Sequence, residues 1–318
     1  MNLSLPISPS FASGPALLAI SGGRDSVALL NLLVSAGQGG LVLCHLNHGL
    51  RGRESGQDAA FVRRLARRYD LPCEIEKAPV AELARTQKVS IETAARMARY
   101  DFLHRMALRH GAVCIYLAHH ADDQAETILA NLCRGTGISG LKGMMAETAT
   151  APVLCRPLLE MPRADIEAYV QEHGLAYRED SSNAGLAHRR NRLRHEVLPL
   201  LNDVYAREVT PLIVRLGRQA ARDEDCLQQQ AQAFIQEEGV ITNDGRLVLT
   251  FKLRSLHPAV LSRILHFWLG GLAVTGLDAD LLDDVLAMLR PGGPAKINLQ
   301  GGRHLRRKAG CLGVTEPE

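Results

Sequence analysis

The sequence predicts an α/β protein, with an N-terminal parallel sheet covered by helices on both faces, a helical linker and a small α+β C-terminal domain. Two observations predict this class. In the first 160 residues, short and continuously apolar runs alternate with longer segments of helical periodicity. Strands that are apolar throughout are buried on both faces, which is typical of parallel sheets with helical crossovers. Near the C-terminus, apolar–polar alternation instead indicates half-exposed strands.

In the first part of the chain, each apolar run predicts a strand and each periodic segment a helix. The predicted strands cover 15–20, 41–46, 72–77 and 112–117, and the helices cover 25–35, 56–69, 90–110 and 122–133. The helix from 90 begins most clearly, because Ser90 is a good N-cap residue and Glu92 lies in the first turn. The last of these helices ends at Gly135 and Gly137.

Beyond Gly143 the pattern changes, and a loop rich in Thr and Ala over 146–151 comes first. Helices are predicted over 162–173, 191–201, 209–238, 258–269 and 278–289, and strands over 247–251, 295–299 and 311–315. We therefore expect three parts: a sheet domain over 1–205, a helical linker over 206–242 and a small domain over 243–318.

Composition excludes several classes of protein. No apolar run approaches the roughly 20 residues of a membrane helix, and the N-terminus lacks the basic and apolar regions of a signal peptide. The 7 cysteines show no C-x-x-C spacing, which argues against structural zinc, a thioredoxin-like motif and a clustered iron–sulfur site. These features predict a cytoplasmic protein with no membrane partner.

Positive charge is concentrated in two clusters, although the net charge is only +3. The first cluster is Arg189, Arg190, Arg192 and Arg194, and the second is Arg303, Arg306, Arg307 and Lys308. Concentrated patches matter more for phosphate binding than net charge does. Solvated surface would give the same runs, so contact with nucleic acid and ordinary exposure both stay open for either cluster taken alone.

The clearest local motif is Ser-Gly-Gly-Arg-Asp-Ser at 21–26, between a predicted buried strand and a helix. Two glycines let the backbone approach a ligand, and the free N–H groups of the new helix favour phosphate. The spacings of a Walker A loop and of a dinucleotide fingerprint are both absent. Asp25 would repel phosphate unless a metal ion intervenes, so we infer Mg²⁺ at Asp25. A turn with a Ser/Asp helix cap is the alternative.

Two further polar segments follow predicted strands, at 47–51 and at 119–127. Ligands of open parallel sheets bind outside the carboxyl ends of the strands, so both segments should meet the 21–26 loop in one nucleotide and substrate pocket. Asp122 and Glu126 share a helix face, with Asp123 adjacent. Helix capping and a His/Asp metal site are the alternatives for these acids.

Together with further segments in the same order, these motifs resemble the tRNA(Ile)-lysidine synthetase family of the PP-loop, or N-type ATP pyrophosphatase, superfamily. The further segments are His48-Gly-Leu-Arg51, Glu92-x-x-Ala-Arg96-x-x-Arg99-Tyr100, Arg134-Gly-Thr-Gly137, Arg156-Pro-Leu-Leu159, Asp180-Ser-Ser-Asn183 and Arg190-Asn-Arg-x-Arg-His195. The resemblance covers about 20–201, and more loosely the residues from 243. It implies an adenine nucleotide alpha hydrolase-like PP-loop fold and a short family member. Asn47 stands where many members carry Asp, so we expect no catalytic role there.

The resemblance implies a ligase that joins free L-lysine to C2 of the wobble cytidine of tRNA(Ile), in the anticodon CAU. ATP would adenylate the C2 oxygen and release pyrophosphate, and the lysine ε-amine would then displace AMP to give lysidine. The implied catalytic residues are Asp25, Asp122, Asp123 and Glu126. The implied ATP-binding residues are Ser21, Gly22, Gly23, Arg24, Asp25, Ser26 and His48, with Mg²⁺ at Asp25. The implied lysine- or tRNA-binding residues are Arg96, Arg99, Asp180, Asn183, Arg190, Arg192 and Arg194.

The resemblance also suggests a homodimer, whereas the residue types by themselves indicate no oligomeric state. One rival function is another PP-loop tRNA-modifying or amide-forming enzyme, although the cytidine-thiolating relatives carry C-x-x-C pairs. The other rival is a non-catalytic protein that binds ATP or RNA. Such a protein would bind nucleotide without releasing pyrophosphate.

Overall fold

The computed structural model describes residues 14–50, 52–178, 189–290 and 292–316. The chain forms two compact units. Unit 1 comprises Met1–Ala130 and Gly143–Arg215, and unit 2 comprises Asn131–Lys142 and Leu216–Glu318. The division into 1–205, 206–242 and 243–318 stays a prediction.

Unit 1 is built on a parallel sheet, as predicted, but it has five strands where the sequence predicted four. The strands are β1 (Ala16–Ala19), β2 (Leu41–Asn47), β3 (Cys73–Lys77), β4 (Cys114–Tyr116) and β5 (Val153–Cys155). Their order is β3-β2-β1-β4-β5, so β1 lies at the centre, with Leu17 paired to both Val42 and Ile115. The sequence did not predict β5, because three residues are too few to show a period.

Helices cover both faces of this sheet, as expected from central strands such as β1 and β4, which are buried along their length. The helices of the first 205 residues are α1 (Arg24–Ser35), α2 (Arg53–Arg68), α3 (Val80–Gln87), α4 (Ile91–His110), α5 (Ala121–Leu132), α6 (Ile138–Leu141), α7 (Arg163–Glu172), α8 (Arg189–Arg192), a π-helical segment (Leu193–Val197) and α9 (Leu198–Val204); of these, α6 and the last two residues of α5 belong to unit 2. Leu18 and Leu43 pack in the core beside α1 and α2, whereas Leu17 and Val42 pack with Phe102 of α4. Successive strand residues therefore face opposite layers. Helices α3 and α6 were not predicted from the sequence.

The termini of α4 agree with the sequence signals. The Ser90 Oγ accepts a hydrogen bond from the Thr93 N–H at 3.1 Å, which caps the first turn. The helix ends at Gly111, which has a φ of +61°.

Helix α10 (Thr210–Glu238) follows the π-helical segment and α9. None of the helices in the described part of the chain combines the length and apolar character needed to span a bilayer.

Unit 2 contains an antiparallel sheet packed against helices. Its elements include β6 (Leu247–Val248), α11 (Phe251–Ser255), α12 (Pro258–Gly271), α13 (Ala279–Met288), β7 (Lys296–Asn298), β8 (His304–Lys308) and β9 (Cys311–Thr315), with strand order β6-β9-β8-β7. Trp268 lies in its core and donates from Nε1 to the Gly245 carbonyl at 2.8 Å. The predicted strand over 247–251 is too long, because β6 ends at Val248. Thr250 accepts a hydrogen bond from the Leu253 N–H and caps α11, which begins at Phe251. Strand β8 was not predicted.

Candidate active site

The loop at residues 21–26 joins β1 to α1 and has the geometry of an anion cradle. Gly22 has a φ of +90°, and a Cβ there would lie 3.1 Å from Phe61 Cδ1, so the position requires glycine. The Ser21 Oγ accepts from the Gly23 N–H at 3.1 Å, and the Ser26 Oγ donates to the Gly23 carbonyl at 2.9 Å. Gly23 is the N-cap of α1 and has no side chain to accept from the first-turn N–H groups. A bound phosphate can take that place.

A cavity of about 880 Å³ opens at the carboxyl ends of β1, β2 and β4. A volume of this size is typical of small-molecule and cofactor sites. The predicted site residues that line it are Ser21, Gly23, Arg24, Asp25, Ser26, His48, Arg99, Asp123, Arg190 and Arg194. The structure thus brings together the loop, both strand-end segments and two arginines of the first basic cluster.

His120 links the loop to α5, and the sequence analysis did not include it among the site residues. Its buried ring places Nε2 3.8 Å from Asp25 Oδ2 and 3.5 Å from Asp123 Oδ2. The Nδ1 atom accepts from the Asp122 N–H at 3.3 Å, so the Nε2–H points towards the two carboxylates. Within the described residues, no three His, Cys, Asp or Glu side chains are grouped as a metal site.

Asp123 and Glu126 of α5 bind the two arginines in one ion-pair network. Arg190 Nε donates to Glu126 Oε2 at 2.7 Å, and Arg194 Nε donates to Glu126 Oε1 at 2.5 Å. Both arginines also donate to Asp123 Oδ1, at 3.2 and 3.0 Å. The Glu126 side chain is fully buried. Burial acts to raise the pKa of Asp123, but His120 and Arg190 outweigh it and hold this pKa below its usual value.

His119 also lines the cavity; it belongs to the polar segment 119–127 placed in the pocket from the sequence, but it was given no role there. Burial is the main cause that lowers the pKa of His119 to about 4, and Arg156 and Arg190 act in the same direction, against Asp123. The ring is therefore neutral at pH 7. Its buried Nδ1 atom has no hydrogen-bond partner among the described residues. A neutral imidazole with an open nitrogen can bind a polar substrate atom.

A positively charged group lies on α4 at the cavity edge. Arg99 Nη2 lies 3.4 Å from His48 Nε2. Burial and the neighbouring guanidinium groups of Arg96 and Arg190 lower the pKa of Arg99. Arg96 itself stacks over the Tyr100 ring at 4.8 Å and does not line the cavity.

The comparisons with known proteins agree with this geometry. Residues 5–201, more than half of the chain, match the family model described as the PP-loop domain. The chain belongs to the PP-loop family. Residues 251–312 match a second model, described as the TilS substrate binding domain.

Two curated relatives of this PP-loop chain carry the name tRNA(Ile)-lysidine synthase. The one from Geobacter sulfurreducens is 40% identical over 252 residues, which cover 79% of this chain and 53% of the relative. The one from Porphyromonas gingivalis is 46% identical over 188 residues, which cover 59% of this chain and 41% of the relative. The chain thus spans about half the length of these relatives.

Among solved structures, the U34-tRNA thiolase NcsA of Methanococcus maripaludis, described with its [4Fe-4S] cluster, superimposes with a TM-score of 0.54. It is 17% identical, and the match covers 67% of this chain and 74% of that chain. This likeness shows that the two proteins share a fold.

Several residues predicted for the site of this PP-loop protein do not line the cavity: Gly22, Arg96, Asp122, Glu126 and Arg192. Arg192 is exposed and pairs with Glu196 at 2.8 Å. Arg51, Asp180 and Asn183 lie outside the described residues. Just before that gap, the Arg178 N–H donates to the Gly22 carbonyl at 2.9 Å, and the Arg178 guanidinium pairs with Asp58. Sequence alone offered no signal for this contact, because it joins distant segments.

Proposed function

We propose that the chain ligates free L-lysine to C2 of the wobble cytidine of tRNA(Ile), with the anticodon CAU, and converts ATP to AMP and pyrophosphate. One observation carries this proposal: the same cavity is lined by the 21–26 loop and by the charged network around Asp123. The loop can bind the phosphates of ATP in the adenylation step. The carboxylate and the guanidinium groups can bind the positive and negative groups of a zwitterionic amino acid. Membership of the PP-loop family and the names of the relatives support the same conclusion.

In the first step, the cytidine C2 oxygen attacks the α-phosphorus of ATP, and pyrophosphate leaves. The amides at 22–26 and the hydroxyls of Ser21 and Ser26 would hold the phosphates, because these groups surround the N-terminus of α1. The Arg24 guanidinium pairs with Glu167 of α7, so Arg24 would contact ATP through its backbone.

Asp25 is the residue that would hold Mg²⁺. Its carboxylate lies in the first turn of α1 beside the proposed phosphate site, and it supplies the hard oxygen donors that Mg²⁺ prefers. Mg²⁺ in nucleotide sites is usually bound by one or two carboxylates together with substrate phosphates, so one protein carboxylate fits. When bound, Mg²⁺ neutralises negative charge on the leaving pyrophosphate.

In the second step, the lysine ε-amine attacks C2, and the C2 oxygen leaves as part of AMP. Of the three predicted acids on α5, Asp123 alone lines the cavity, and we assign it the contact with the lysine side chain. We assign Glu126 the positioning of Arg190 and Arg194, whose guanidinium groups both bind its carboxylate. His119 can accept a hydrogen bond from the substrate at Nδ1.

The tRNA would contact the basic side chains near the cavity. Arg190, Arg194 and Arg99 line it, and Arg96 and Arg192 lie outside the lining with exposed side chains. Phosphate contacts of this kind fix the position of the RNA, and the splayed cytidine enters the pocket. For the whole protein, a cytoplasmic location and a homodimer are the corresponding proposals.

The decisive experiment incubates the protein with ATP, Mg²⁺, labelled lysine and a tRNA(Ile) transcript with the anticodon CAU. We expect pyrophosphate release and lysine incorporation, and both should be lost on a transcript whose wobble cytidine is replaced by uridine. Release without incorporation of lysine would indicate another adenylating PP-loop enzyme. Nucleotide binding without release would indicate a non-catalytic protein.

A further inference from the structure

A short segment after α7, residues 175–178, runs along the loop between β1 and α1. Leu175, at the start of the segment, is buried in the core of unit 1. At the other end, the Arg178 N–H donates to the Gly22 carbonyl at 2.9 Å. The Arg178 carbonyl oxygen lies 3.9 Å from the position that a Cβ of Gly23 would occupy. The backbone of this segment therefore lies against both glycines of the loop.

The Arg178 side chain ties the same segment to α2. Its Nε–H donates to the Asp58 carboxylate, and its Nη2 donates to Gln57 Oε1 at 3.0 Å. Asp58 is buried and lines the cavity. Helix α2 is fixed in its turn, because Val62 and Leu65 pack in the core of unit 1. Since a carboxylate balances the guanidinium charge, Arg178 acts on the loop through its backbone N–H.

The hydrogen bond from Arg178 fixes the orientation of the peptide group between Gly22 and Gly23. A trans peptide group is planar, so its carbonyl and its N–H point in opposite directions. With the carbonyl held by Arg178, the Gly23 N–H points to the Ser21 Oγ, at 3.1 Å. Both residues that flank this peptide are glycines, which adopt more conformations than other residues do. A rotated peptide would turn the Gly22 carbonyl oxygen towards the Ser21 hydroxyl, where it would repel a phosphate.

We propose that Arg178, held by Asp58, is a positioning residue for ATP, because it keeps the peptide between Gly22 and Gly23 in the orientation that accepts phosphate. The inference rests on the proposed function in taking ATP as the ligand of the loop. A second tie supports the same arrangement. The Arg24 guanidinium pairs with Glu167, so the loop is also bound to α7, the helix that precedes the segment.

The substitution Asp58→Asn separates this role from a plain effect of charge. A carboxylate beside a phosphate site repels ATP, so on charge alone the amide should strengthen ATP binding. If Asp58 holds Arg178 in place, the amide should weaken ATP binding, because a charge-assisted hydrogen bond is lost. We expect Kd for ATP with Mg²⁺, measured on the full chain by titration calorimetry, to rise on the order of 10-fold.

Two substitutions of Arg178 give the same information if Asp58→Asn folds poorly. Arg178→Gln should raise Kd for ATP by a similar factor, and Arg178→Lys, which keeps the charge and a donor, should recover part of the loss. The double variant Asp58→Asn, Arg178→Gln should bind ATP no more weakly than the weaker single variant, because both changes remove one interaction.

The matched control is Glu224→Gln. Glu224 is a buried carboxylate that pairs with Arg263 in unit 2, and it is not among the residues that line the cavity. This variant should lower the melting temperature and leave Kd for ATP unchanged. Unchanged or tighter ATP binding by folded Asp58→Asn, or unchanged binding by Arg178→Gln, would overturn the positioning role. A wild-type chain that binds ATP but transfers no lysine would overturn the proposed function alone, since the binding test does not depend on catalysis.

Discussion

Arg190 donates its Nε–H to Glu126 Oε2 at 2.7 Å, and this bond fixes helix α8 to helix α5. Arg194, one turn later, binds the other oxygen of the same carboxylate. A fully buried carboxylate is costly unless it is paired, and here both oxygens are paired with guanidinium groups. Two arginines of the first basic cluster are thus committed to acids at the cavity, while Arg192 remains exposed at the surface.

The first prediction concerns the substitution Glu126→Gln. It would leave two guanidinium groups without their main carboxylate, and we expect the free energy of unfolding to fall by about 1.5–3 kcal/mol. We also expect KM for lysine to rise more than KM for ATP, because Arg190 and Arg194 would no longer be held beside Asp123. Urea unfolding and steady-state kinetics measure these quantities.

The matched control is Glu196→Gln, which breaks an exposed pair with Arg192. An exposed pair contributes little, so this change should cost about 0.5 kcal/mol or less and leave both KM values unchanged. Equal losses of stability in the two variants would contradict the importance of the buried network.

The second prediction concerns Asp25→Asn. The amide keeps the size of the side chain but removes the charge that would hold Mg²⁺ beside the phosphates, so pyrophosphate release should fall on the order of 100-fold or more. The melting temperature should stay close to that of wild type, because the Asp25 side chain is partly exposed. Asp101→Asn, in an exposed pair with Arg105, is the control and should remain active. Normal release of pyrophosphate by Asp25→Asn would show that Asp25 is not needed to hold Mg²⁺ beside the phosphates.

The sequence predicted the elements whose signals are local. Strand β1, the 21–26 loop and helix α1 lie within twenty residues, and an apolar run, two glycines and a periodic segment specify them in order. Strand β5 could not be predicted, because its three residues become a strand only by pairing with β4. The convergence of three strand ends followed from the topology of parallel sheets.

The pairing within the site could not be predicted in the same way. Asp123 and Arg190 are 67 residues apart, and each had a sufficient local interpretation, as a helix-cap acid and as part of a solvated basic run. Nothing in a single sequence indicates that two such charges meet. Strand β8 in the second basic cluster was missed for the same kind of reason: a single apolar residue, Leu305, lies among basic ones, and one apolar position shows no period.

The third prediction concerns Gly143, which has a φ of +67° and lies against Gln124. The Gln124 side chain forms two hydrogen bonds with the Met144 backbone, at 3.0 and 2.8 Å. A Cβ at Gly143 would lie 2.7 Å from Gln124 Oε1 and would break this bridge. Gly143→Ala should therefore destabilise the protein by about 1–3 kcal/mol beyond the cost of the left-handed backbone.

Gly174→Ala measures that backbone cost by itself, because Gly174 has a φ of +56° and open space around its Cβ position. It should cost about 1 kcal/mol. The difference between the two alanine variants, measured by urea unfolding, isolates the clash with Gln124. A difference near zero would show that Gln124 moves aside without loss.

The fourth prediction concerns the pH dependence of stability through His119. Its pKa is lowered from 6.5 to about 4 in the folded protein, mainly by burial, so the unfolded chain binds more protons between these values. The free energy of unfolding should fall as the pH is lowered from 6.5 towards 4. In His119→Gln this part of the loss should disappear, which amounts to on the order of 2 kcal/mol at pH 4.5. His45, whose pKa is also lowered by burial, contributes equally in both proteins and cancels in the difference. Urea unfolding at several pH values provides the measurement. Wild-type and variant curves that stay parallel from pH 7.5 to 4.5 would show that the pKa of His119 is not lowered on folding, and burial would then not keep its ring neutral below pH 6.5.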